Sequence, residues 1–165
     1  MNLQRIARHL LTTGLTVHKR FPTQVRQAIE QAIGASEARH SGEIRFAVEA
    51  TLDLRSLLQG KTPRERALEV FSNLGVWDTE ANTGVLIYVL LADRQVEIVA
   101  DRGINRRVEP AEWQAICHDM VEAFKQGDFE AGSVQGVHAV SVLLERHFPA
   151  PPVNPNELPD RVELL

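Results

Sequence analysis

Apolar and polar positions follow two rhythms along this chain, and the changes of rhythm mark its elements. Leu3, Ile6, Ala7, Leu10 and Leu11 recur at helical spacing with basic residues between them, predicting an amphipathic helix within residues 1–20. Phe21-Pro22 marks a break and restart, because proline is favoured in a first helical turn. Val25, Ala28, Ile29, Ala32 and Ile33 then predict a second helix from Pro22 to about Arg39, closed by Ser41-Gly42. Glu43 to Ala50 switches to period two. Ile44, Phe46 and Val48 share one face and Arg45, Ala47 and Glu49 the other, as in a strand buried mainly on one side.

Further on, Thr62-Pro63-Arg64-Glu65 is a helix start: the threonine caps free amides, the glutamate reaches back, and proline takes the first position. Ala67, Val70, Phe71 and Leu74 form that helix's apolar stripe, and Gly75 stops it. Val85 to Leu91 is a continuous apolar run, as expected of a central strand covered on both faces. Asp93-Arg94 turns the chain, and Gln95 to Ala100 returns as the second arm of a hairpin. Two helices follow, with Trp113, Ile116, Cys117, Met120 and Phe124 on one stripe and Val134, Val137, Val140 and Leu144 on the other. The two tryptophans, Trp77 and Trp113, read as packing residues. Beyond Phe148 five prolines fall among polar residues, which predicts a disordered or extended tail.

The order α-α-β-α-β-β-α-α implies one parallel pair of strands joined through a helix and one antiparallel return. Helices then cover both faces of a small mixed sheet, giving an α/β fold of the three-layer α/β/α type. A short edge strand would suit this sheet, but the pattern places none. The expected organisation is a basic helix in residues 1–20, an α/β/α domain in 21–148 and a Pro-rich tail in 149–165.

Composition narrows the function classes. The chain is 44% hydrophobic and 24% charged, with a net charge of −4, so nothing global points to nucleic acid. The single cysteine, Cys117, excludes an internal disulfide and a thiolate zinc site, and it lies in an apolar stripe. Residues 1–20 carry Arg5, Arg8, Lys19 and Arg20 with no acid, yet polar residues interrupt the apolar core that a secretory signal needs. The longest apolar stretch elsewhere, residues 84–92, is too short to span a bilayer. A cytoplasmic protein, peripheral to the inner membrane face, is the expectation. The basic helix reads as a membrane-surface or partner-docking element, or as an ordinary amphipathic helix packed on its own domain. Its shortness and few large apolar residues favour the second.

The topology gathers candidate chemistry at one sheet edge, where the two parallel strands begin and the third ends. Glu37, His40 and Glu43 arrive before the first strand, and Asp78, Glu80 and Asn82 before the second. Asp101, Arg102, Asn105, Arg106 and Glu109 follow the third. Such oxygen-rich groups suit calcium or magnesium, which take carboxylates, carbonyls and water. The stretch Asp78-Thr79-Glu80-Ala81-Asn82-Thr83-Gly84 shares alternate oxygens with an EF-hand loop, but its glycine comes one residue late and no bidentate glutamate follows. It reads equally as a common turn into a strand. Asp101 is a ligand or general base on one reading and a solvated turn residue on the other. Glu37-x-x-His40 is a ligand pair or a solvated helix face. The opposite edge holds Asp53 and the Asp93-Arg94 turn and is less well furnished. The six histidines are scattered, and neither a phosphate-binding glycine loop nor a nucleophile elbow is present.

Several stretches resemble the TPM-domain family. Asn82-Thr83-Gly84-Val85-Leu86-Ile87-Tyr88-Val89, a charged turn and Val96-Glu97-Ile98-Val99 are similar to its central hairpin. Ser41-Gly42-Glu43-Ile44, the helix from Arg66-Ala67 to Trp77, and Phe124-Lys125-Gln126-Gly127-Asp128-Phe129 add to the likeness over about Pro22 to Phe148. The resemblance implies an α/β/α sandwich, divalent-cation binding in some members, an acid phosphatase activity in the plant branch, and roles beside membrane proteins. The chain departs from the family after the third strand, where Ala100-Asp101-Arg102-Gly103-Ile104 replaces a glycine-rich turn.

Two functions follow. One is a noncatalytic interaction module, binding calcium or magnesium at Asp78, Glu80, Asn82 and Asp101, with a membrane-associated protein as partner and neither nucleic acid nor a disulfide-linked chain. The other is a cation-dependent, phosphatase-like hydrolase in which Arg102 and Arg106 hold the phosphate anion. The absence of a complete catalytic set favours the module.

Overall fold

The structure, a computed structural model, describes residues 3–165. The helix expected within residues 1–20 is broken into α1 (Leu3–Leu11) and α2 (Gly14–Arg20), and its first two residues lie outside the described chain. The break falls at Thr12-Thr13. Thr12 Oγ1 donates back to the Arg8 carbonyl at 2.8 Å, the local competition by which threonine ends a helix.

The remaining elements are α3 (Thr23–Glu37), β1 (Glu43–Glu49), α4 (Leu54–Leu58), α5 (Pro63–Asn73), β2 (Gly84–Leu90) and β3 (Gln95–Ala100). They are followed by α6 (Arg102–Asn105), α7 (Pro110–Gln126), α8 (Phe129–His147) and β4 (Glu163–Leu164). The start of α5 is the capping box read from sequence: Thr62 Oγ1 accepts from the Glu65 amide, and the Glu65 carboxylate accepts from the Thr62 amide at 2.7 Å. Gly127, at φ 90°, closes α7 in the left-handed conformation that glycine adopts freely.

The sheet runs β3-β2-β1-β4. Parallel register joins β1 to β2 from Glu43↔Gly84 to Glu49↔Leu90, and β3 pairs antiparallel with β2. One face, with Ile44, Phe46, Val48, Val85, Ile87 and Val89, packs against α2, α3, α7 and α8. The other, with Ala47, Leu86, Tyr88 and Leu90, packs on α4 and α5 through Leu57, Ala67 and Val70. Each large apolar side chain fully removed from water contributes about 1.5–3 kcal/mol, so the two faces together supply the main driving force. β1 is therefore buried on both sides, where its alternation predicts one. The charged residues on its second face are covered as ion pairs: Arg45 with Glu163 and Glu49 with Arg66. Trp113 is buried as expected, whereas Trp77 is 54% exposed. Cys117 packs half-buried against the core, and burial pushes its thiol up to about 11.

The Pro-rich segment differs most from expectation. It is extended, but it folds back along β1 and supplies the unplaced edge strand, with Ala47↔Glu163 and Val48↔Leu164 in parallel register. Of its few apolar residues, Val162 enters the core and Leu158 and Leu164 pack against it, and polar ties hold the stretch along its length. Asn154 Nδ2 donates to the Glu37 and His40 carbonyls at 2.7 and 2.9 Å, and the Leu158 amide donates to Glu43 Oε2 at 3.1 Å. Arg45 donates to the Pro159 carbonyl, and the Val162 amide to Glu30 Oε1 at 2.9 Å.

Candidate functional site

The edge at which β1 and β2 begin and β3 ends is built by three local decisions of the chain. Gly84 opens β2 so close to the preceding turn that a Cβ there would stand 1.9 Å from the Val76 carbonyl oxygen. Thr83, fully buried, donates its hydroxyl to the Ser41 carbonyl at 3.0 Å and so ties this loop to the entry of β1. Asp101 then caps α6: its Oδ1 accepts from the Arg102 amide at 2.6 Å, while its own amide donates to the Gly84 carbonyl at 2.8 Å.

These ties bring the loop before β2 and the turn after β3 together. Arg102 Nε donates to Asn82 Oδ1 at 3.3 Å. Gly103 lies directly under the loop, where a Cβ would meet the Asn82 and Ala81 carbonyl oxygens at 2.5 and 2.9 Å. Asn82 holds φ 55°, a left-handed turn that asparagine tolerates. The second carboxylate oxygen of Asp101, Oδ2, is buried and makes no hydrogen bond among the described residues.

Of the four residues read as ligands, Asn82 and Asp101 belong to this meeting point. Asp78 and Glu80 are exposed on the same loop, and the Glu80 amide is taken by the Glu157 carboxylate at 2.8 Å. Among the described residues no group of three or more histidine, cysteine, aspartate or glutamate side chains is placed to hold a metal ion. A cation here would rely on Asp101, the Asn82 side chain and the nearby carbonyls, all hard oxygen donors. The guanidinium of Arg102 on Asn82 would compete with it. Arg106 is exposed at the end of α6, Glu109 starts α7, and Asn105 Nδ2 caps the Ala100 carbonyl at 2.7 Å.

Glu37 and His40, read as a ligand pair or a solvated face, are neither exposed nor joined to that loop. Both are buried beneath the C-terminal segment. Glu37 Oε1 accepts from the Ile44 amide at 2.9 Å. Burial, with Glu43 and Asp160 adding repulsion, pushes its carboxyl up to about 8. Burial also raises Glu43 and lowers His40, whose Nδ1 donates to the Gly42 carbonyl at 2.9 Å.

At the far end of the sheet the Asp93-Arg94 turn, expected to be the less well furnished edge, holds a buried ionic cluster. The Asp93 carboxylate accepts from Arg5 Nη2 at 2.7 Å and from His9 Nε2 at 3.0 Å. The Leu52 amide donates to His9 Nδ1 at 3.1 Å, which places the ring proton on Nε2, facing Asp93. Burial pushes Asp93 up, but Arg5 and His9 outweigh it and hold the carboxyl below its ordinary value. No local pattern couples residues some ninety positions apart, so this anchor for α1 is visible only in the fold.

A mixed four-stranded sheet between helical layers, with a loop and a capped turn meeting at one end, defines a three-layer α/β/α domain. A profile for the TPM domain matches residues 18–143, and the chain belongs to that family. Among solved structures it is similar to the BA42 protein of the psychrophilic bacterium Bizionia argentinensis, at 33% identity. That match covers 86% of this chain and 93% of the other, with a TM-score of 0.74. The N-terminal domain of a protein from P. gingivalis shares the fold at 22% identity, with 72% of each chain covered and a TM-score of 0.56. Among curated proteins none matches the sequence significantly.

Proposed function

We propose that this TPM domain is a noncatalytic interaction module that takes calcium or magnesium at the edge formed by residues 78–84 and 101–106 and works beside a membrane-associated protein. One observation carries the cation reading: Asp101 Oδ2 is buried and has no hydrogen bond among the described residues, two positions before Gly103, on which the Ala81 and Asn82 carbonyls close. A buried carboxylate oxygen without a donor costs free energy that a hard cation would recover. The noncatalytic reading rests on where the shifted groups lie. Glu37 and Glu43, at the same end of the sheet, are buried beneath the C-terminal segment with their carboxylates on the Ile44 and Leu158 amides, and Cys117 packs against the core. A phosphatase-like hydrolase is the second reading, favoured by Arg102 and Arg106 standing at the same edge.

Calcium and magnesium titrations of metal-stripped protein, followed by calorimetry and amide shifts, test the cation site. Saturable shifts at residues 78–84 and 101–104 are expected. Asp101→Asn should abolish them, and Arg102→Ala should tighten binding several-fold by freeing Asn82 from the competing guanidinium. Absence of shifts at millimolar cation would overturn the reading. Hydrolysis of p-nitrophenyl phosphate by the loaded protein, lost in Arg102→Ala, would move the assignment to the hydrolase.

A further inference from the structure

The helix α1 is docked by its polar side. Arg5 and His9 face inward onto Asp93, while Leu3 and Leu10 are each 70% exposed and Leu11 is 81% exposed. An amphipathic helix packed on its own domain does the reverse, burying its apolar stripe. The pattern continues in α2, where Leu15 is 80% exposed although Val17 is buried. Water therefore meets four large apolar side chains on two adjoining short helices, and among the described residues none covers them.

Beneath these helices lies a cavity of about 440 Å³ between α1, α2, the hairpin turn and α7. Its wall carries four cationic residues, Arg8, Arg20, Arg94 and Lys125, and no acid. Leu11 lines the same cavity, so the apolar face and the basic cavity are continuous. Asp93 is spent on Arg5 and His9 and reaches Arg8 only at 3.7 Å. Arg20 lies over the Phe129 ring at 4.8 Å, and Lys125 pairs with Glu122 on the surface. Arg94 makes no side-chain ion pair among the described residues, and Lys19 adds a further exposed cation.

We propose that the α1–α2 face is a docking surface for an anionic phospholipid bilayer: Leu10, Leu11 and Leu15 enter the acyl boundary while the basic cavity receives a lipid phosphate. Charge complementarity decides the occupant. A second copy of this chain, apposed through the same face, would bring two surfaces of like charge together, because Arg8, Lys19, Arg20, Arg94 and Lys125 outnumber Asp128 and Glu130, which share a groove with Leu15 and Lys19. An anionic membrane instead satisfies both the apolar and the cationic groups, the combination that holds interfacial helices at headgroup level. This surface lies at the opposite end of the sheet from the cation edge, so the inference does not depend on the proposed function.

Flotation of the full chain with phosphatidylglycerol-containing vesicles, against pure phosphatidylcholine and with EDTA present, tests it. Partitioning into anionic vesicles only is expected, falling as salt rises. Leu11→Gln with Leu15→Gln should lower the partition coefficient about tenfold. Lys19→Glu with Arg94→Glu should lower it by at least about fivefold and flatten the salt dependence. All four positions are exposed, so an unchanged thermal midpoint serves as the control for folding. Failure to bind anionic vesicles would overturn the proposal. So would binding that ignores the leucine substitutions, which would mean bare electrostatic adsorption. Self-association abolished by the leucine pair, without vesicle binding, would assign the face to a second copy.

Discussion

Glu37 closes α3 with one carboxylate oxygen on the Ile44 amide and the whole group beneath the C-terminal segment. Its carboxyl is raised from the ordinary glutamate value to about 8, so it is protonated in the folded state at neutral pH and ionised in the unfolded chain. The sign of the linkage follows. Its contribution to stability is complete below the unfolded value and is lost as pH climbs towards about 8, because over that window the unfolded state releases the proton first. Glu43, raised for the same reason, acts in the same direction. Unfolding by urea across pH 5–9 should show stability falling with pH, by a total on the order of a few kcal/mol. Glu37→Gln keeps a neutral group of the same shape and should flatten the slope while raising stability at pH 8. A slope unchanged in that variant would show that Glu37 is ionised in the folded protein.

At the level of elements, the buried charges of β1 show what patterning reads and what it misses. Glu49 accepts a bidentate pair from Arg66 Nε and Nη2 at 2.9 and 3.0 Å, and the Tyr88 hydroxyl donates to the same carboxylate at 2.5 Å. The network pins α5 to the centre of the sheet. Removing Arg66 would strand a mostly buried carboxylate, so Arg66→Ala should cost about 2–4 kcal/mol in chemical denaturation. Arg66→Ala combined with Glu49→Gln should recover part of that loss. The capping box of α5, the apolar run of β2 and the hairpin to β3 were legible because each is specified by neighbouring residues. Glu49 and Arg66, seventeen residues apart and on different elements, follow no such rule. Alternation therefore assigned Arg45 and Glu49 to a wet face. The same limit applies to the candidate site: topology correctly joined Asn82 to the turn after Asp101. Asp78 and Glu80 stand exposed on a loop that passes through a left-handed residue at Asn82, and side-chain type alone does not decide which of its oxygens turn outward.

Across the whole molecule, the C-terminal segment shows how a stretch poor in apolar residues becomes ordered. Proline density limits its conformational freedom before folding, so less entropy is lost when it docks. Beside the burial of Val162, docking uses donors and acceptors spaced along an extended chain, which β1 with α3 presents in Glu37, Glu43, Arg45 and Val48. Arg45 is the central clamp, 3% exposed, with one nitrogen on the Pro159 carbonyl and another on Glu163 Oε1 at 2.7 Å. β4 has only two residues of ladder, too few to hold the edge alone. Arg45→Ala should therefore release the segment without unfolding the α/β/α core. Hydrogen exchange is expected to quicken by on the order of tenfold or more at Val162, Leu164 and Leu165, while Leu86, Ile87 and Val89 keep their protection. Equal loss of protection in both regions would mean that the segment and the core unfold as one unit. In that case the strap is part of the domain's cooperative fold rather than a cover laid over the open edge of β1.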